Sequence, residues 1–171
     1  MQHTRRVTKR AQEHRSKHID AALLRGPDRF YAHVMPIELT NTDTTLVVRT
    51  DYADDAAWAD LKARIATPSP DGFLADVQYV EDPTLAGYTT EDVRGDLARY
   101  ELFFAFVADK DTFGSDKMPV LVLDLYEDSD AEFRCVTSEL WGVENNLSLA
   151  NLEFDDFASQ AASNGGVFEG F

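Results

Sequence analysis

Three apolar runs in this sequence each finish in an aspartate: Leu46 to Thr50 then Asp51, Phe103 to Ala108 then Asp109, and Val120 to Leu123 then Asp124. If these runs are parallel neighbouring strands, the three carboxylates converge at the carboxyl edge of a sheet, where open α/β folds place ligands. Oxygen ligands of this kind suit Mg²⁺ and phosphoryl chemistry, so Asp51, Asp109 and Asp124 form the candidate metal-binding and catalytic set. The competing role is plainer. An aspartate after a strand commonly forms a turn or caps a helix, and the stretch from Asp109 to Met118 is short for a parallel crossover. Asp124 shares alternation with Val120, Val122 and Tyr126 and is expected to be partly buried.

A second constellation is the run Glu144-Asn145-Asn146-Leu147-Ser148-Leu149-Ala150-Asn151, which concentrates amides between two apolar patches. Trp141, Glu144, Asn145, Asn146, Ser148 and Asn151 are the candidate binding residues, with Trp141 as the anchor of a polar loop. Asn and Ser also bond local backbone, so a structural turn and a helix N-cap compete for the same residues.

Most other chemistries fall by absence. No histidine occurs from 35 to 171, so the body cannot assemble a Ser-His-Asp site, a Cys-His site or a His-rich zinc or iron site. The single cysteine, Cys135, shares a strand face with Phe133 and Thr137 and reads as a buried structural thiol. Neither phosphate-cradling glycine motif is present. Asp109 to Asp116 begins like an EF-hand loop, but Phe113 stands at position 5 and Val120 at position 12, where a bidentate glutamate is required.

The elements that must carry these residues follow from periodicity. Leu46 to Thr50 reads as a strand, and Trp58, Leu61 and Ile65 recur at helical spacing up to Ala66, with Asp51 capping the first turn and Asp54 and Asp55 at the positive dipole end. Phe73 to Glu81 alternates as a second strand. A weaker helix starts near Thr89, with Asp92 three residues on and Val93, Leu97 and Tyr100 on one face. Leu102 to Ala108, Pro119 to Tyr126 and Glu132 to Thr137 read as three further strands, followed by a helical turn or two around Leu140 to Leu147 and a terminal helix through Phe154, Phe157 and Ala161. The first half resembles α/β crossovers and the second a meander. The expected fold is α/β, bordering on α+β: a single mixed sheet of about five strands packed by three to four helices.

With 44% apolar and 11% aromatic residues, the 171-residue chain can bury a core despite its net charge of −15. That charge is the sum of unlike parts. Residues 1–34 carry eight Lys and Arg against three acids, net +5; residues 35–171 carry eight against 28, net −20. The shift in composition beside Gly26-Pro27 marks a boundary, and the head, which also holds all four histidines, is expected to lie outside the native fold, with Met35 as the start; a disordered basic tail and a functional arm are the alternatives. The 35–171 body is expected to be a single globular domain. It lacks the clustered cations that bind nucleic acid, no run is long enough to span a membrane, and one cysteine agrees with a reducing cytoplasm.

Val47-Val48-Arg49-Thr50-Asp51-Tyr52 followed by Asp54 to Trp58, then Pro119 to Leu125, then Ser138 to Asn151 and the ending Gly166 to Phe171, resemble an uncharacterised family of small acidic actinobacterial domains. The resemblance runs from about Leu46 to Phe171, with Glu144 to Asn151 its most specific block, and the basic head has no counterpart in it. It implies a cytoplasmic bacterial setting and no mechanism. The residues therefore point first to a non-enzymatic binding module, immunity-type or regulatory, that needs no cofactor and engages a basic protein; the alternative is a Mg²⁺-dependent phosphohydrolase using the strand-end aspartates. Oligomeric state is left open.

Overall fold

The computed structural model describes residues 37–39, 43–126 and 129–171. The basic head, the expected start at Met35, and Glu127 and Asp128 of the acidic loop lie outside these residues.

Among the described residues, six strands form one mixed sheet packed by five helices, an α/β fold: β1 (Thr45–Arg49), α1 (Asp55–Ile65), β2 (Val77–Val80), α2 (Thr90–Leu97), β3 (Phe104–Ala108), α3 (Lys110–Phe113), β4 (Val120–Asp124), β5 (Glu132–Cys135), α4 (Leu140–Ser148), α5 (Phe154–Ser163) and β6 (Val167–Phe168). The strand order is β2-β1-β3-β4-β5-β6. β1 is parallel to both β2 and β3, whereas β4 runs antiparallel to β3 and to β5, and β6 is parallel to β5. β1 and β3 are buried along their whole length, which explains why both read as continuous apolar runs rather than alternating ones.

The two parallel crossovers leave β1 and return past it in opposite directions, so their helices cover opposite faces. Trp58, Leu61 and Ile65 of α1 share one core with Val47, Phe106 and Val122, and α4 and α5 add Leu140, Val143 and Phe157. On the other face Val93 and Leu97 of α2 pack with Leu46, Val48, Val107 and Leu123. Full burial of Phe106 or Phe157 contributes about 2–3 kcal/mol each. Ile37 joins the second core, its N–H donating to Asp96 Oδ2 at 3.2 Å while its carbonyl accepts from the Tyr100 hydroxyl at 2.9 Å.

Three local expectations change. The strand expected from Phe73 begins only at Val77, because a turn consumes the backbone of Phe73: its carbonyl accepts from the Ser69 N–H at 2.8 Å and its N–H donates to Ser69 Oγ at 3.1 Å. Asp54, not Asp51, caps α1, accepting the Ala56 and Ala57 N–H groups at 2.8 and 2.9 Å. The sixth strand, Val167–Phe168, is too short for periodicity to announce. The capping box of α2 forms as read, with Thr89 and Asp92 each satisfying the other's backbone N–H.

Candidate functional site

The strand-end aspartates do not converge. In the antiparallel pair, Asp124 sits opposite Phe104, the first residue of β3, whereas Asp109 follows its last residue. Five residues of strand separate the two levels by about 17 Å. The shared carboxylate site therefore loses Asp124, and Asp51 and Asp109 alone remain at one sheet edge, where the Thr50 N–H donates to the Ala108 carbonyl at 3.0 Å. Among the described residues, no group of three or more His, Cys, Asp or Glu side chains is placed to hold a metal ion.

Each aspartate instead organises the chain beside it. Asp51 Oδ1 accepts the Ala53 N–H at 2.9 Å, and half-buried Asp124 accepts the Tyr126 N–H at 3.0 Å. Asp109 caps α3 through the Asp111 and Thr112 N–H groups, and α3 occupies the stretch that resembled a calcium loop. Arg134 of β5 grips the Asp109 carboxylate with both terminal nitrogens, at 3.1 and 2.6 Å. Burial pushes the Asp109 carboxyl up, but the Arg134 hydrogen bonds, the Thr112 amide and hydroxyl and the guanidinium charge outweigh it and hold the group below its ordinary value.

Arg49 ends β1 at this same edge and is only 4% exposed. Its Nε donates to the Asp51 carbonyl at 2.8 Å and its Nη2 reaches Asp55 Oδ1 at 2.8 Å. The guanidinium lies over the rings of Tyr52 and Trp58, 4.3 and 5.4 Å from their centroids. Burial pushes the Tyr52 phenol up to about 12 against the opposing pull of Arg49, with Asp82 and Glu81 adding to the rise. Cys135 is buried and its thiol is pushed well above the ordinary value by burial, the state of a structural thiol rather than a nucleophile.

The amide-rich run is mostly helix. It forms the latter half of α4, and its members take different roles. Glu144 is 5% exposed, and its carboxylate accepts from the Thr45 hydroxyl at 3.3 Å, the Ser148 hydroxyl at 2.8 Å and the Asp76 N–H at 3.1 Å. It therefore ties α4 to β1 and to the approach to β2, and is withdrawn from any surface. Asn146 donates back to the Gly142 carbonyl at 2.8 Å within the helix, and exposed Asn151 lies past its end, its N–H on the Asn146 carbonyl at 2.9 Å. Trp141, Asn145 and Ser148, spaced by four and three residues, share one stripe of α4 that is half-buried at Trp141 and Asn145 and exposed at Ser148.

The sequence reading missed the residue that completes this stripe. Phe73 is 51% exposed and stacks on Trp141, ring centroids 5.2 Å apart and planes 9° from parallel. Its neighbour Leu74 is 46% exposed. The signal was the turn Pro68-Ser69-Pro70-Asp71-Gly72 immediately before Phe73, which takes the ring out of the alternating strand.

The sequence stretches that carry this stack are acidic. No Lys or Arg occurs in 65–93 or in 135–171, while each of these stretches holds six acids. The cations of the body are largely spent internally: of the eight in 35–171, Arg49, Lys62, Arg64, Arg94, Lys117 and Arg134 form ion pairs. A hollow of about 530 Å³ does present Arg64 and Lys117, but Asp60 and Glu169 already hold them at 2.9 and 2.8 Å. Among the described residues, no helix is long and apolar enough to cross a membrane.

No curated protein matches the chain. A family model for a domain of unknown function, DUF6924, matches residues 44–171, from the start of β1 to the last residue, and the chain belongs to that family.

Proposed function

We propose that residues 35–171 act as a non-enzymatic protein-binding module, immunity-type or regulatory, that engages a basic protein partner. One observation carries this reading: the 28 acids of this body stand against eight cations, six of them already tied to its own acids, which leaves a surplus of 20 negative charges within it. Such a field accelerates encounter with a cationic surface and repels phosphate backbones. The assignment of catalysis to strand-end aspartates has no comparable support, since Asp124 lies at the other end of the sheet from Asp109. A cytoplasmic, bacterial and specifically actinobacterial setting, and function without a cofactor, belong to the same proposal.

The test is affinity capture from the host lysate at low and high salt. The expected result is a basic protein retained at low salt and released at high salt, because exposed charges are screened beyond about 8 Å at physiological ionic strength. Recovery of no partner, or only of partners insensitive to salt, overturns the proposal and leaves the acidic surface as a solubility device.

A further inference from the structure

We propose that the outward face of Phe73, backed by the indole of Trp141, receives an arginine or lysine side chain of the partner. This inference rests on the reading that the partner is basic and says where and how the contact is made. One face of the Phe73 ring lies against Trp141, and at 51% exposure the other is turned to solvent. The face of an aromatic ring carries the negative part of its quadrupole, so a cation seated within about 6 Å of the centroid is attracted.

The ring is also pre-organised. Two hydrogen bonds link Ser69 to the backbone of Phe73, a third runs from the Gly72 N–H to the Ser69 carbonyl at 2.9 Å, and Gly72 takes a φ of 86° that a residue with a Cβ rarely adopts. Three residues on, the Asp76 N–H is held by Glu144 of the helix that carries Trp141. Little side-chain or loop entropy remains to be lost on binding, which is how rigid aromatic anchors gain affinity.

Charge complementarity selects the occupant. Asp71 and Asp76, two residues before and three after Phe73, are exposed; the stretches that build the stack contain no cation, and Arg64 and Lys117, which line the hollow beside the Ser69 turn, are already paired with Asp60 and Glu169. The 35–171 body of a second copy would bring another net −20, and nucleic acid would bring phosphates; both are repelled. Phe103 is as exposed as Phe73 and lies near Tyr126, but the stretch leading into it carries Arg94 and Arg99, so it serves as the control.

The experiment titrates the full chain with a fluorescein-labelled Arg-Ser repeat peptide and with its isosteric citrulline counterpart, at low and high salt. The arginine peptide is expected to bind at low salt at least about tenfold more tightly than the citrulline peptide, and Phe73→Ala and Trp141→Ala each to weaken it about tenfold, with Phe73→Tyr and Phe103→Ala unchanged. Thermal melts verify that each variant is folded. If folded Phe73→Ala and Trp141→Ala bind the arginine peptide as the natural chain does, the anchor is overturned while the basic-partner reading stands. If the citrulline peptide binds equally well, the contact needs no positive charge and both fall. Absence of arginine-peptide binding at low salt also overturns both.

Discussion

The Glu144 carboxylate accepts the backbone N–H of Asp76 at 3.1 Å across 68 residues of chain. Its other oxygen takes the hydroxyls of Thr45 and Ser148, so one buried carboxylate joins α4, β1 and the loop that presents Phe73. Glu144→Ala leaves these donors without a partner and is expected to cost about 2–3 kcal/mol, read from urea unfolding. Glu144→Gln keeps an acceptor for the Asp76 amide and replaces the other oxygen with an NH2 that donates to a rotated hydroxyl, and should cost less than about 1 kcal/mol. Equal losses in the two variants would show that the negative charge itself is needed.

Asp109 and Arg134 set the acid response. The folded carboxyl titrates below its unfolded value, so its contribution to stability is present above the unfolded value, about 3.9, and is lost as pH falls through the depressed folded one. Asp109→Asn should destabilise the chain by about 1–3 kcal/mol at neutral pH and flatten the decline of stability below pH 4. Denaturant midpoints across that range check both statements; an unchanged acid slope would remove the pair from the account.

At the alkaline end the sign reverses. Tyr52 is raised from about 10 to about 12, so the folded state holds its phenolic proton where the unfolded chain has released it. The associated stability is complete below pH 10 and disappears between 10 and 12. Tyr79 shifts in the same direction, chiefly through burial, and adds to the slope. Absorbance near 295 nm should show at least one phenolate forming about two units late, and Tyr52→Phe should abolish that late step and reduce the alkaline slope.

Arg49 is packed as much as it is paired. Its guanidinium meets the Asp51 carbonyl, Asp55 and two aromatic rings while only 4% exposed, a set that a lysine ammonium cannot reproduce. Arg49→Ala is expected to cost about 3 kcal/mol or more and Arg49→Lys to recover less than half of that, measured by chemical denaturation. A lysine variant as stable as the natural chain would reduce the site to simple charge.

Because Asp51, Asp109 and Asp124 each serve their own stretch of backbone, Mg²⁺ is expected to raise the melting temperature no more than Na⁺ at matched ionic strength. Asp124→Asn should leave that response unchanged and, as a turn former, cost under about 1 kcal/mol. A Mg²⁺-specific stabilisation abolished by Asp124→Asn would restore the metal reading.

What the sequence by itself determined is local and periodic. Trp58, Leu61 and Ile65 at helical spacing placed α1, the apolar runs placed β1, β3 and β4, and Thr89 with Asp92 placed the start of α2, because propensity, alternation and capping act within a few residues. The distribution of charge was equally legible. The crossovers of the first half and the meander of the second were legible too, but strand order, register and the partners of long-range contacts were decided only by the tertiary structure. The short link between Asp109 and Met118 hinted that β4 reverses, but the hydrogen-bonded register is what carries Asp124 to the far end of the sheet. Glu144 reads as a surface residue in a polar run; burial against Thr45 and Asp76, distant in sequence, makes it a fastener instead. Phe73 reads as a strand residue until the Ser69 turn takes its backbone and Trp141, 68 residues later, takes one face of its ring. Local chemistry limits what each residue can do, and the packing of segments far apart in sequence selects which of those roles is filled.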